Sequence, residues 1–323
     1  MIVAKDNSGD FATISEAVLA TKSGDKIYAK PGVYNERVEI RVPDILIEGE
    51  SPENTIIVSG YYARMKADDS EKLGTFRTYT MLANTNRFPC RNMTIANSAG
   101  FGRDVGQAVA VYAEGDGILF ENCRILGHQD TLFTGPLPFK EIEKGGFRGP
   151  TEFSPRIAGR QLYRRCYIEG EVDFIFGSAH AAFDECELFS LNCGNEINGY
   201  VTAASTYNGD KCGYLFKNCR FTSDCPPKTV YIGRPCRNYA KTILLNFELG
   251  AHINPSAFHD WGKTEAHETV LYGLHGCCGE GFCPNRLAPF AAILTDEEAL
   301  GSSRFLTRLF LHFNRAGRSA FRF

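Results

Sequence analysis

Four short segments share one pattern of apolar and polar positions: LFENCRI (119–125), LYRRCYI (162–168), AFDECEL (182–188) and LFKNCRF (215–221). In each, a cysteine follows a polar residue and an aromatic residue stands three positions before it. Apolar residues occupy the positions four before and two after the cysteine. Strand alternation puts the cysteine and those two apolar residues on one face. A weaker fifth copy, CRNMTI (90–95), carries Met93 in the cysteine's place.

Irregular spacing between copies predicts one such strand per coil, joined by loops of varying length. Self-similarity of this kind marks a solenoid in which each coil buries its inner face against the next. Short strands, Asn at turns and no long helical period favour a parallel β-helix over a helical repeat. Cysteine then acts as a small buried hydrophobe stacked from coil to coil. At the N-terminus, TISEAVLAT (13–21) places Ile14, Ala17 and Val18 at helical spacing, with Asp10 or Thr13 available as a cap. The fold expected is all-β, with this short helix capping the first coil and residues 1–323 forming a single domain. The form of the tail over about 300–323, rich in arginine at its end, stays open.

Composition narrows the function. The chain of 323 residues is 43% hydrophobic and 23% charged, with a formal charge of -3. Such a balance gives no basic surface for nucleic acid, so no nucleic-acid partner is expected. No stretch approaches the ~20 apolar residues of a membrane-spanning helix. The start, MIVAKDNSGDFATI, lacks the basic and apolar regions of a secretory signal. With twelve cysteines read as reduced buried thiols, the expected compartment is the cytoplasm, or the exterior for a processed mature chain.

The chemistry gathers in four stretches. GEVDFIFGSA (170–179) sets Asp173 among apolar residues, where strict alternation gives it the face of Ile175. GQAVAVYAEGD (106–116) carries Gln107, GHQDTLFTG (127–135) carries Gln129 and Asp130, and VYIGRPCRNYAKT (230–242) carries Arg234. Asp130 lies seven residues after Cys123, and Asp173 seven after Cys166. Coils stacked in register, about 4.8 Å apart, therefore bring both carboxylates to one face. Two such carboxylates push their pKa values apart, so one is ionised while the other keeps a proton. Arg234 would hold the ionised one, and the two glutamine amides would serve an oxyanion. Together they suit ester hydrolysis through a carboxylate nucleophile.

These stretches, with GDFATISEAV, PGVYNERVEI, GTFRTYT (74–80), GYVTAAST (199–206) and HDWGKTEAHETVLYG (259–273), resemble in order the signature motifs of the pectin methylesterases, in their bacterial form. The resemblance implies a right-handed single-stranded parallel β-helix, without metal or organic cofactor. It implies hydrolysis of the C6 methyl ester of galacturonate in homogalacturonan or oligogalacturonides; a monomer is expected. Asp173 resembles the nucleophile, Asp130 the general acid and then base, Gln107 and Gln129 the oxyanion stabilisers, and Arg234 the residue that orients the nucleophile. Thr78, Phe133, Val172, Phe176 and position 236 fall where the family lines its groove.

Cys236 departs from the family's G-R-P-W, where a tryptophan forms a groove wall, and Phe258 also stands where a tryptophan is common. A weaker grip on long pectin is expected. The alternative is a carbohydrate-binding relative that has lost turnover; against it, both aspartates and Arg234 are retained. His275, Cys277, Cys278 and Cys283 could be read as zinc ligands, but they lack separated ligand pairs and read better as a cysteine-rich loop. His128 and Glu36 are read as structural.

Overall fold

A computed structural model describes residues 1–67 and 71–311, with side chains through Arg304. Its described strands form three parallel sheets, of eleven, seven and eight strands. Strands adjacent within a sheet come from successive coils, so the chain winds as a parallel β-helix. Coils therefore hold strands from three sheets, where the repeat alone predicts one strand each.

The cysteine segments show why. Ile118–Glu121 lies in the eleven-stranded sheet and Arg124–Leu126 in the eight-stranded one. Between them Asn122 is left-handed, at φ 52°. The residues before the other repeat cysteines, Arg165, Glu185 and Asn218, have φ of 49°, 56° and 54°. The polar residue before each cysteine is thus a corner. Asparagine tolerates that conformation best among non-glycine residues, and Asn122 Nδ2 donates to Asn92 Oδ1 of the preceding coil at 2.8 Å.

A corner shifts the phase of alternation by one residue. Phe120, rather than Leu119, faces inward with Cys123 and Ile125. Leu119 instead joins Leu162, Ala182 and Leu215 on the outer face, beneath Leu294 and Ala299. Ala299 belongs to the C-terminal helix Asp296–Leu311, so the start of the tail is docked; residues 312–323 lie outside the described residues.

Inside, the aromatic of each repeat stacks on the next. Ring centroids are 5.5 Å apart for Phe120–Tyr163, 4.8 Å for Tyr163–Phe183 and 4.4 Å for Phe183–Phe216, with planes within 14°. Each cysteine thiol donates to a carbonyl of the coil before: Cys166 to Phe120 O at 3.4 Å, Cys186 to Tyr163 O at 3.3 Å, Cys219 to Phe183 O at 3.4 Å. Burial pushes the Cys123, Cys166 and Cys186 thiols up, which keeps them protonated donors.

At the N-terminus, Ile14–Ala20 is helical, and Thr13 with Glu16 forms its capping box. Glu36 accepts from Ile14 N and Ser15 N at 2.9 and 2.8 Å, so it serves this helix start. In the 275–286 segment His275 Nδ1 faces Leu294 O at 3.1 Å, Cys277 packs on the core and Cys278 is exposed.

Phe183 is fully buried between two stacked rings. Its truncation, Phe183→Ala, is expected to cost about 3–5 kcal/mol. The check is denaturant unfolding, with an unchanged midpoint as the contrary result.

Candidate active site

The outer face of the seven-stranded sheet carries the candidate residues. Leu132–Thr134 and Val172–Gly177 are neighbouring strands there, with Leu132 opposite Ile175. The same 43-residue offset sets Asp130 against Asp173, and Asp130 N donates to Val172 O at 3.1 Å.

Asp173 does not obey alternation. Val172 pairs with Tyr200 but Ile175 with Thr202, so one extra residue is accommodated between them as a bulge. Asp173 takes a left-handed φ of 51° there. Consecutive residues Phe174 and Ile175 both enter the core, while Phe176 joins the outer aromatic cluster. The shared face expected for Asp173 and Ile175 is therefore corrected: the bulge turns Asp173 away from the core. Asp130 is also left-handed, at φ 65° in the turn before its strand. Glycine is required at position 170, where a Cβ would come within 2.2 Å of Phe174 Cβ and 2.6 Å of His128 O.

Arg234 follows the strand Val230–Gly233, two coils beyond Asp173. Its Nε and Nη2 donate to the two Asp173 carboxylate oxygens at 2.8 and 2.7 Å, a bidentate fork. The guanidinium lies 3.9 Å from the ring centroids of both Tyr200 and Trp261. Tyr200 gave no sequence signal, because nothing in GYVTAAST separates it from an ordinary strand tyrosine. Phe258 is 1% exposed and stacks on Tyr272 at 4.2 Å in the core. Trp261 is the aromatic that reaches the site.

Burial raises the pKa of both carboxyls. For Asp130 the neighbouring Asp173 charge adds to the rise and carries it well above the ordinary value. For Asp173 the Arg234 fork opposes it. Both carboxyls are raised, Asp130 further, so of the two Asp173 is the readier to carry the charge and Asp130 to keep the proton.

Gln107 and Gln129 come from adjacent coils, joined by Ala108 N donating to Gln129 O at 3.0 Å. Both are half-buried. Among the described residues neither side-chain amide has a protein hydrogen-bond partner, so both remain available to a ligand. Gly102 packs against Gln129, where a Cβ would stand 2.4 Å from Oε1. The Gly102 N–H is held by Oε1 of Glu171, a buried glutamate the sequence reading passed over. His128 sits in the turn, with its carbonyl accepting from Glu171 N at 3.0 Å.

The groove residues divide. Val172 and Cys236 are half-buried, and Phe176 is 8% exposed. Thr78 is fully buried, its hydroxyl donating to Thr75 O at 2.7 Å and accepting from Val109 N at 3.0 Å. Phe133 is 1% exposed and packs edge-on to Phe76 at 5.0 Å. Both are buried, so unlike Val172 and Cys236 they present almost no surface of their own.

A carboxylate clamped by arginine, a second carboxyl whose pKa is pushed well up and two unengaged amides make a site suited to acyl transfer on a parallel β-helix. The comparisons with known proteins agree. A family model described as Pectinesterase matches residues 1–137 and 156–310. Pectinesterase 31 of Arabidopsis thaliana is 29% identical over 308 residues, covering 92% of this chain and 88% of that protein. Other curated pectinesterases match at 29–32% identity, and of several of them the chain spans only about half the length, 45–56%. The solved pectin methylesterase from carrot is 26% identical, with a TM-score of 0.77 and 95% of each chain covered. A solved pectin methylesterase in complex with a hexasaccharide is also 26% identical, with a TM-score of 0.75 over 93% of this chain and 94% of that one. The chain belongs to the pectinesterase family.

Opposite stability effects are expected for the two aspartates. Asp130 has a folded pKa above its unfolded value, so its contribution is complete at pH below the ordinary carboxyl range. That contribution is lost as pH rises toward the raised value. Asp130→Asn, which also tolerates a left-handed φ, should therefore gain stability relative to the parent as pH rises from 4 to neutrality. Asp173→Asn leaves Arg234 without its counter-charge and should lose about 3 kcal/mol. Thermal unfolding of both variants across pH checks this, and a loss for Asp130→Asn equal to that of Asp173→Asn would contradict it.

Proposed function

We propose that Asp173 is the nucleophile in a two-step hydrolysis of the C6 methyl ester of galacturonate, in pectin or oligogalacturonides. The single observation that carries this role is the bidentate Arg234–Asp173 pair beside Asp130, whose pKa burial and the Asp173 charge push well above the ordinary value. The enzyme is a carboxylic ester hydrolase of the pectinesterase family.

In the first step an Asp173 oxygen attacks the ester carbonyl carbon, and the carbonyl oxygen gathers negative charge. Side-chain amides of Gln107 and Gln129 donate to that oxyanion. As the tetrahedral species collapses, the bond to the methoxy oxygen breaks. Asp130 gives its proton to that oxygen, and methanol leaves. Asp173 is then joined to the galacturonate carbonyl as an anhydride.

In the second step Asp130, now a carboxylate, takes a proton from water as the water oxygen attacks the galacturonate carbonyl. The anhydride bond breaks, Asp173 regains its charge and the fork of Arg234, and the free acid departs. Asp130 ends the cycle protonated.

The twelve cysteines are all free thiols, which supports a reducing compartment. There the substrate would be short methylated oligogalacturonides.

The test is methanol release from methyl-esterified oligogalacturonides. Asp173→Ala should lose about 10³-fold or more in kcat; normal turnover in that variant would refute the assignment. In the parent, kcat/KM should fall as pH rises through the raised pKa of Asp130, because the acid that protonates methanol is then lost. A profile flat from pH 5 to 10 would contradict this role.

A further inference from the structure

Residues 138–155 form the internal stretch outside the family match. They are nevertheless tied firmly to the site face. Leu137 O, at the entry, accepts from Tyr207 OH at 2.6 Å. Thr151 Oγ1 donates to Glu114 Oε2 at 2.6 Å. At the exit, Arg156 donates to Ser154 O and Glu152 O, both at 2.6 Å, and closes the segment on itself. Bonds at Leu137, Lys140 and Thr151 hold the two ends of the segment, Phe139 between the first two, against the rest of the chain.

One of those side chains is an aromatic ring turned to solvent. Phe139 is 68% exposed, and its ring packs on Tyr207 with centroids 4.4 Å apart. Water on an apolar ring of this size is unfavourable, and the contact with Tyr207 covers only part of it. The ring is also near the chemistry. Lys140 O, one residue on, accepts from Arg237 Nη2 at 3.0 Å. Arg237 Nη1 donates to Cys236 O at 2.9 Å. Cys236 N in turn donates to Ala204 O at 3.1 Å, at the end of the strand that leads to Tyr207. On the other side of Cys236, Lys263 Nζ donates to the same carbonyl at 2.9 Å and lies over Trp261. Cys236 therefore stands between two exposed rings, and its own thiol offers no broad apolar face.

Resting on the esterase reading above, we infer that Phe139 is a stacking subsite for the galacturonate chain, one ring to the side of the reacting unit. The C–H face of a pyranose is apolar while its edges carry hydroxyls, so a held, largely exposed aromatic ring is the surface that recognises it. Ring position, held by Tyr207 and Arg237, sets which sugar of the chain it meets. Phe153, on the same segment, is 93% exposed; it lies near the segment's exit rather than beside Cys236 and carries no such role.

Two readouts test this. The first is KM and kcat for methanol release from methylated oligogalacturonides. The second is calorimetric affinity for the same oligomers in an Asp130→Asn background. Phe139→Ala should raise KM and weaken affinity by about five- to tenfold, with kcat within twofold of the parent. Phe139→Trp should restore both, and Phe153→Ala should match the parent. Unchanged affinity in Phe139→Ala, or an equal loss in Phe153→Ala, would overturn the subsite. Absence of methanol from the parent, with the affinity difference intact, would strike the esterase reading and leave the subsite standing.

Discussion

Parallel hydrogen bonding from coil to coil is the constraint on which everything else rests. Each strand must lie in register with the strands of the coils before and after it, about 4.8 Å away. A residue can then be placed beside another 43 or 61 positions distant without any local contact between them. Asp130, Asp173 and Arg234 are brought together in this way. The inner stack of Phe120, Tyr163, Phe183 and Phe216 and the thiol-to-carbonyl bonds of the cysteines hold that register from within. Precision at the site is thus inherited from the core.

Register alone would give a regular surface, and the site departs from it. Both catalytic candidates are left-handed, Asp130 in a turn and Asp173 in a bulge. Such conformations cost free energy at a non-glycine residue, and burying a carboxylate costs more. Arg234 offsets the second cost with two charge-assisted bonds, and is itself flanked by Tyr200 and Trp261. With both Arg234 donors committed to Asp173, Asp130 has no such fork among the described residues, and burial with the Asp173 charge pushes its pKa well above the ordinary value. One arginine thereby gives two chemically identical carboxyls different leanings toward charge and proton.

Much of this was legible in the residues, and what was not has physical reasons. The repeat around the cysteines was visible because inward faces recur, and the equal offsets of Asp130 and Asp173 from Cys123 and Cys166 exposed the carboxylate pair. Simple alternation failed wherever the backbone turned left-handed. It put Leu119 inside where Phe120 belongs, and Asp173 with Ile175 where the bulge separates them. Thr78 and Phe133 were read as lining from the resemblance alone; Phe133 is covered by Phe76, which arrives from another loop, and Thr78 is held inside by its bonds to Thr75 O and Val109 N. Tyr200 and Trp261 acquire meaning only in three dimensions, as the two faces of Arg234.

The division of charge between the two aspartates can be seen directly in the infrared carboxyl region of protein labelled with ¹³C-aspartate. One protonated aspartate band should persist at pH 7 in the parent and vanish in Asp130→Asn. A parent spectrum with every aspartate ionised at pH 7, or a protonated band that survives in Asp130→Asn, would contradict the assignment of acid and nucleophile.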